Sequence, residues 1–255
     1  MKIMFLNQQP RGPNQDSTQV EALLNSYASP GTTVTVDYPD EFDGGNIYQA
    51  VGGKAALNPV RHLVRGPALL LKTLWAEQNG YDAVIQSNTF DPGVEVGRAV
   101  VNIPVIGVLR TAMHVGLNLS DRIGITVPLS THIAYTWRIL RSYGLDSSVA
   151  GIRTLSEEAF PGGVHSAGLD VVRGNKDLIS ASAISVIKDL ISEDGAEIIL
   201  PLGGAVIPYL VDPADLERET SVQVLNTKSI GIRFAEMCVD LGMTQSFLTY
   251  PRRPR

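Results

Sequence analysis

A single cysteine, Cys238, stands among 255 residues, so the chain builds neither an intramolecular disulfide nor a cysteine-rich zinc site. That scarcity also fits a reducing compartment. Histidine is almost as rare, with four residues, and no His-Glu-x-x-His pair occurs. Charge is thin: 18% of the residues are charged and 44% hydrophobic, which excludes a disordered tail or a charged coiled coil and leaves a soluble globular protein. The 21 Lys and Arg against 26 Asp and Glu give a net charge of -5, the wrong sign for neutralising a phosphate backbone, so no nucleic-acid partner is expected. Long apolar runs are missing as well. Ile3-Met4-Phe5-Leu6 falls short of the roughly 7 to 15 residues of a signal peptide and the roughly 20 of a membrane helix. The expectation is a cytoplasmic protein with no membrane partner.

Familiar ligand motifs are absent too. Gly44-Gly45-Asn46 through Gly52-Gly53-Lys54 resembles a phosphate loop only superficially, because Tyr48 stands where the first glycine belongs and Ala55 replaces the required Ser or Thr. It reads as an irregular loop. There is no Gly-x-Ser-x-Gly elbow, and the first strand runs into Gln8-Gln9-Pro10 rather than a dinucleotide fingerprint. No metal and no cofactor are expected, and the partner implied is a small-molecule substrate. The basic end, Pro251-Arg252-Arg253-Pro254-Arg255, reads as a short disordered tail.

What is present is a recurrence of short apolar runs bounded by Gly, Pro and Asn, with helix-like segments between them, the pattern of βαβ units and a parallel sheet. Strands are expected near 2–6, 33–37, 83–87, 104–108, 122–126, 149–153, 197–201 and 221–225. A helix is expected over 67–79, with Pro67 in its first turn and Gly80 as its cap, and another over about 175–193. Both lead to a strand through similar junctions, Asn79-Gly80-Tyr81-Asp82-Ala83 and Glu193-Asp194-Gly195-Ala196-Glu197.

The likeness extends along the chain. Phe5 corresponds to Ile125, Ile85 to Ile199 and Val105 to Gln223, shifts of 120, 114 and 118 residues, which suggests two copies of one α/β unit and therefore two lobes. Lobe one is expected over 1–102 and 209–255, and lobe two over 103–208. In open parallel sheets ligands lie beyond the carboxyl ends of the strands. That rule singles out Asn7, Ser87-Asn88-Thr89, Arg110, Thr126, Gly203-Gly204 and Asn226.

Each candidate has a bland reading beside the functional one. The turn Ser87 to Gly93 leaves a strand for a helix, so its N–H groups could receive an anion or oxyanion, or its Ser, Asn and Asp could simply cap. Gly203 and Gly204 would let backbone approach a ligand, or reflect tight packing. Arg110 could clamp a carboxylate or join a salt bridge. His132, after a strand end, is a better general-base candidate than His114, which reads as structural; His62 and His165 have no clear place, and Gly162 to His165 reads as a mobile loop able to cover a cleft.

These fragments in this order resemble the aspartate/glutamate/hydantoin racemase superfamily, its hydantoin racemase branch above all. The resemblance rests on the strand ending in Asn7, Ala83-Val84-Ile85 leading to Asp91-Pro92-Gly93, Ile103 to Val108, Ala112-Met113-His114, Arg122 to Thr126, Tyr143-Gly144-Leu145 and Leu202-Gly203-Gly204-Ala205. It implies an α/β fold of two pseudo-symmetric lobes, each with a mainly parallel sheet flanked by helices, a cleft between them, and cofactor-independent chemistry on small carboxylates or cyclic amides. It also implies oligomers, since dimers and larger assemblies are common in the family. Racemases of the family carry one cysteine after the third strand of each half. Here the first position falls on Ser87 counted from the strand, or on Asn88 counted back from Asp91-Pro92-Gly93, and the second on Gly204, while Cys238 reads as a small core residue of a C-terminal helix.

A serine hydroxyl is a far weaker acid than a thiol of pKa about 8.5, so two-thiol racemisation is not expected. Ser87, Asn88 and Gly204 are thus the catalytic candidates, with Asn7, Thr89, Arg110, Thr126, His132 and Gly203 as substrate-binding candidates. The expected activity is a lyase, hydrolase or isomerase of this frame, and the competing expectation is a catalytically silent binder or regulatory subunit.

Overall fold

The computed structural model describes residues 1–8, 17–39, 58–160, 175–203 and 206–251. The expected phosphate-loop mimic, His165 and its loop, Gly204, and residues 252–255 of the tail lie outside the described residues.

Two compact units divide the chain, 1–108 with 231–255, and 109–230. The first holds β1 (Lys2–Leu6), β2 (Thr33–Asp37), β3 (Ala83–Gln86) and β4 (Val105–Gly107), and the second β5 (Ile123–Val127), β6 (Val149–Thr154), β7 (Ile198–Pro201) and β8 (Gln223–Val224). Each unit has one four-stranded parallel sheet, in the order β2-β1-β3-β4 and β6-β5-β7-β8. The orders are the same under exchange of copies, as a duplicated α/β unit requires.

The boundaries differ from the expected 102/103 and 208/209 for a reason of pairing. Residues 103–108 stay with the first unit because β4 bonds to β3, and residues 209–230 stay with the second because β8 bonds to β7. Register also refines the shift between copies. Asp82 N–H donates to Lys2 O and Ser87 N–H to Leu6 O, while Glu197 N–H donates to Arg122 O and Leu202 N–H to Thr126 O. With Lys2 and Leu6 set 120 residues before Arg122 and Thr126, β3 maps onto β7 with a shift of 115 rather than 114.

Central strands are mostly apolar because helices cover both faces of a parallel sheet. All residues of β3, β4, β5 and β7 are buried, whereas the edge strand β2 alternates and β6 is half-buried along its length. The helices are α1 (Thr18–Tyr27), α2 (Asn58–Gln78), α3 (Val94–Val100), α4 (Val108–Leu117), α5 (Thr131–Tyr143), α6 (Lys176–Ser192), α7 (Pro213–Thr220) and α8 (Thr227–Asp240). Helix α6 lays Ile179, Ala183, Ile187 and Leu190 against Ala196, Ile199 and Val224, one stripe at helical spacing.

Helix α2 corrects an expectation. It begins at Asn58, so Pro67 lies inside it and not in its first turn. Proline removes the N–H that would bond the carbonyl of Leu63, and Leu63 lies on the solvent side of the helix at 77% exposure, where water can take that carbonyl. The helix ends as expected at Gly80, whose φ of 71° lets Tyr81 N–H reach back to Ala76 O.

The segment 231–255 closes the first unit. Gln245 donates through Nε2 to Ile103 O at 2.9 Å and accepts from Val105 N–H at 3.3 Å, and Thr244 Oγ1 donates to Asn102 O at 2.5 Å. No helix among the described residues is long and apolar enough to cross a membrane.

Candidate functional site

In the first unit the order β2-β1-β3-β4 makes the connections leave β1 and β3 in opposite directions, so the carboxyl ends of those two strands form the topological switch point at which open parallel sheets generally take ligands. Four side chains meet there. Ser87 Oγ donates to Asn7 Oδ1 at 3.1 Å, and Asn88 Nδ2 donates to Gln8 Oε1 at 2.6 Å. The turn beyond is built from its own amides. Phe90 N–H donates to Asn88 Oδ1 at 2.9 Å, an Asx turn, and Gln86 Nε2 donates to Pro92 O at 2.9 Å. Asp91 takes a left-handed φ of 50°, and its carboxyl group sits where a side chain on Gly107 would have to go, within 2.6 Å of such a Cβ. A glycine at the end of β4 is therefore a condition of this turn.

Asn88 thus spends its carbonyl on capping and its amide on Gln8, so its role here is to organise the turn. Thr89 is buried at 1% exposure in the same turn. The group Asn7, Gln8, Ser87 and Asn88 contains hydrogen-bond donors and acceptors but no ionisable side chain, which suits a neutral polar ligand.

The equivalent place in the second unit is different. Thr126 lies near the end of β5 at 1% exposure, and its Oγ1 is buried without a hydrogen-bond partner among the described residues. Gly203 follows β7 with φ 86°, and a Cβ there would fall 2.4 Å from Pro128 Cγ. Conformation and close approach both demand glycine. The tight-packing account of Gly203 is therefore sufficient by itself.

The remaining expected residues sit on helices. Arg110 belongs to α4 and stacks over the Tyr143 ring at 5.3 Å, a cation–π pair inside the second unit. His132 is buried in the first turn of α5, where its carbonyl accepts from Thr136 Oγ1 at 2.8 Å, and His114 lies in the last turn of α4. The structure therefore brings Asn7, Ser87 and Asn88 together in one unit, and Thr126 and Gly203 in the other. Counting on by the observed shift of 115, Ser87 corresponds to Leu202, Asn88 to Gly203 and Thr89 to Gly204.

Two residues that sequence reasoning passed over are buried here. Gln8 is 3% exposed beside Asn88. Lys228, in the first turn of α8, is 1% exposed with Nζ 5.7 Å from the centre of the Tyr209 ring, next to Thr227, whose buried Oγ1 has no hydrogen-bond partner among the described residues. Each stands within four residues of a strand end, the signal that could have found them. Cys238 is buried in α8, and burial pushes its thiol pKa up, away from the thiolate form.

The sequence model of the family described as Asp/Glu/Hydantoin racemase matches residues 20–235. A hydantoin racemase from Pseudomonas sp. (strain NS671) is 30% identical over 193 residues, 74% of this chain and 70% of that protein. A hydantoin racemase from Rhizobium meliloti is 28% identical over 189 residues, 73% of each. Among solved structures, allantoin racemase from Pseudomonas fluorescens superposes with a TM-score of 0.77 at 19% identity, covering 100% of this chain and 98% of the other. Fold and sequence pattern thus agree.

Proposed function

This chain belongs to the Asp/Glu/hydantoin racemase family, and from that premise we propose that it is a cofactor-independent enzyme acting on a small cyclic amide of the hydantoin kind, or a related carboxylate, without two-thiol proton transfer. One observation carries the reading. The carboxyl ends of β1 and β3 hold a neutral cluster, Asn7, Gln8, Ser87 and Asn88, while the single thiol is buried elsewhere in a helix. Amides and a hydroxyl match the alternating carbonyl and N–H groups of a hydantoin ring, and donors on the C4 carbonyl oxygen, next to C5, stabilise the negative charge that develops when C5 gives its proton to a base outside this cluster. Ser87 donates its hydroxyl proton to Asn7 Oδ1, so toward such a ring its oxygen acts as an acceptor for an N–H group, and the donors are the side-chain amides.

The test is incubation of the protein in deuterated water with a single enantiomer of a 5-substituted hydantoin and of allantoin, followed by NMR and chiral separation. Deuterium at C5 with loss of optical purity marks an isomerase, and ring-opened product a hydrolase. A second reading is favoured by the same cluster. Because it contains no ionisable group, it also suits a silent binder, and calorimetric binding with no label, no product and no loss of optical purity would select that alternative and overturn the enzyme.

A further inference from the structure

The amide chain that begins at the backbone of Phe90 has a fixed direction. Phe90 N–H is a donor only, so the atom of Asn88 that it meets at 2.9 Å must be the carbonyl oxygen, and the other end of Asn88 must be the amide nitrogen. That nitrogen donates at 2.6 Å to Gln8, which must therefore present Oε1 to Asn88 and turn Nε2 away from it. The end of the chain is Gln8 Nε2, a buried donor without a hydrogen-bond partner among the described residues, on a residue only 3% exposed.

Buried side-chain donors are nearly always satisfied, and leaving one unmade costs more than an average hydrogen bond returns. Here the orphan lies two residues beyond β1, at the carboxyl ends of β1 and β3, where the sheet's connections diverge. Neither strand pairing nor the turn uses it. Resting on the reading of the protein as acting on a cyclic amide, we propose that Gln8 is a substrate-binding residue whose Nε2 donates to a carbonyl oxygen of the ring. A fixed –NH2 selects an acceptor oxygen and rejects a ring N–H at the same place, so Gln8 sets which way round the ring lies.

Gln8→Glu is the decisive substitution because it preserves the acceptor for Asn88 Nδ2 and replaces only the outward donor by an oxygen. Affinity for allantoin and for a 5-substituted hydantoin is measured by calorimetry from about pH 8 down to about pH 5. In Gln8→Glu binding should fall about 10- to 100-fold at the upper end, the size expected for losing a buried donor and gaining an opposed oxygen. It should recover toward the lower end as the buried new carboxyl takes up a proton and becomes a donor again. Wild type should show no such recovery, and Gln8→Met should lose affinity at every pH. A merely structural glutamine would not produce the pH-dependent return.

Wild-type affinity in Gln8→Glu at the upper pH, beside a wild type that binds, overturns the proposal and leaves the cyclic-amide reading standing. Failure of the wild type to bind either compound overturns both. Thermal melting of each variant checks folding, and if Gln8→Glu does not fold, Gln8→Met decides: unchanged affinity overturns the proposal, lost affinity supports it.

Discussion

The two copies of the α/β unit share strand order and direction but not the chemistry at their strand ends. At β1 and β3 four side chains with amide or hydroxyl groups are knit together, whereas at β5 and β7 the corresponding residues are Val127, Pro128, Leu202 and Gly203, with proline packed against glycine. The contrast shows that a duplicated sheet imposes where a site can be, while the residues just past the strands decide what it can do. One end is equipped with donors and acceptors. The other is shaped by close backbone approach.

The largest effect should come from breaking the second end. Gly203→Ala places a Cβ against Pro128 in a left-handed conformation, and the two penalties together should cost about 2 to 5 kcal/mol, read as a lower urea midpoint. Retained stability would mean that the strand ends are more pliable than the Pro128 contact implies. Next, Asn88→Ala removes the cap on Phe90 and the donor to Gln8, so stability should fall by about 1 to 2 kcal/mol and ligand affinity with it. Asn88→Asp separates these effects, because it keeps the cap and removes only the donor to Gln8; equal loss in both variants would assign everything to the link with Gln8.

A smaller, pH-dependent effect belongs to the first unit alone. Burial tends to raise the Glu236 carboxyl, but hydrogen bonds from Ser29 N–H at 2.7 Å, the Ser29 hydroxyl at 2.9 Å and Arg233 at 3.1 Å win, and its pKa is held below the ordinary value. A depressed acid stabilises the fold above the unfolded value of about 4.3 and loses that contribution as pH falls through the folded value. Urea midpoints from neutral pH to about pH 3 should therefore fall more steeply in wild type than in Glu236→Gln. Parallel curves would remove Glu236 from the acid response. The smallest expected effect is none: turnover, once found, should survive a strong chelator, and loss of activity restored by a divalent ion would turn attention to His132 and His114.

Much of this was legible in the sequence because a parallel strand covered on both faces is a continuous apolar run, and Ile3 to Leu6, Ala83 to Ile85 and Ile198 to Leu200 are such runs. The duplication could be read from repeated junctions ending in Gly80 and Gly195, both at φ 71°. What sequence reasoning missed depended on contacts. Pro67 read as a helix start because proline favours the first turn, and nothing local revealed that the helix begins a full nine residues earlier, with Leu63, whose carbonyl the proline leaves unbonded, on its solvent side. Gln8 looked like loop polarity until Asn88, 80 residues away, fixed its orientation. The glycine requirement at 203 was visible, but its cause, Pro128, belongs to the neighbouring strand end.

The division of the chain also has a consequence for the order in which the protein is made. The second unit is one uninterrupted stretch, 109–230, so all its strands have left the ribosome before the first unit receives residues 231–255. During that interval β4 and the loop before it wait without Gln245 and Thr244, whose hydrogen bonds to Asn102, Ile103 and Val105 come from a segment translated after the whole second unit. The half that is synthesised first is thus the half that is finished last, and its apolar strands are the ones that a chaperone would have to shield.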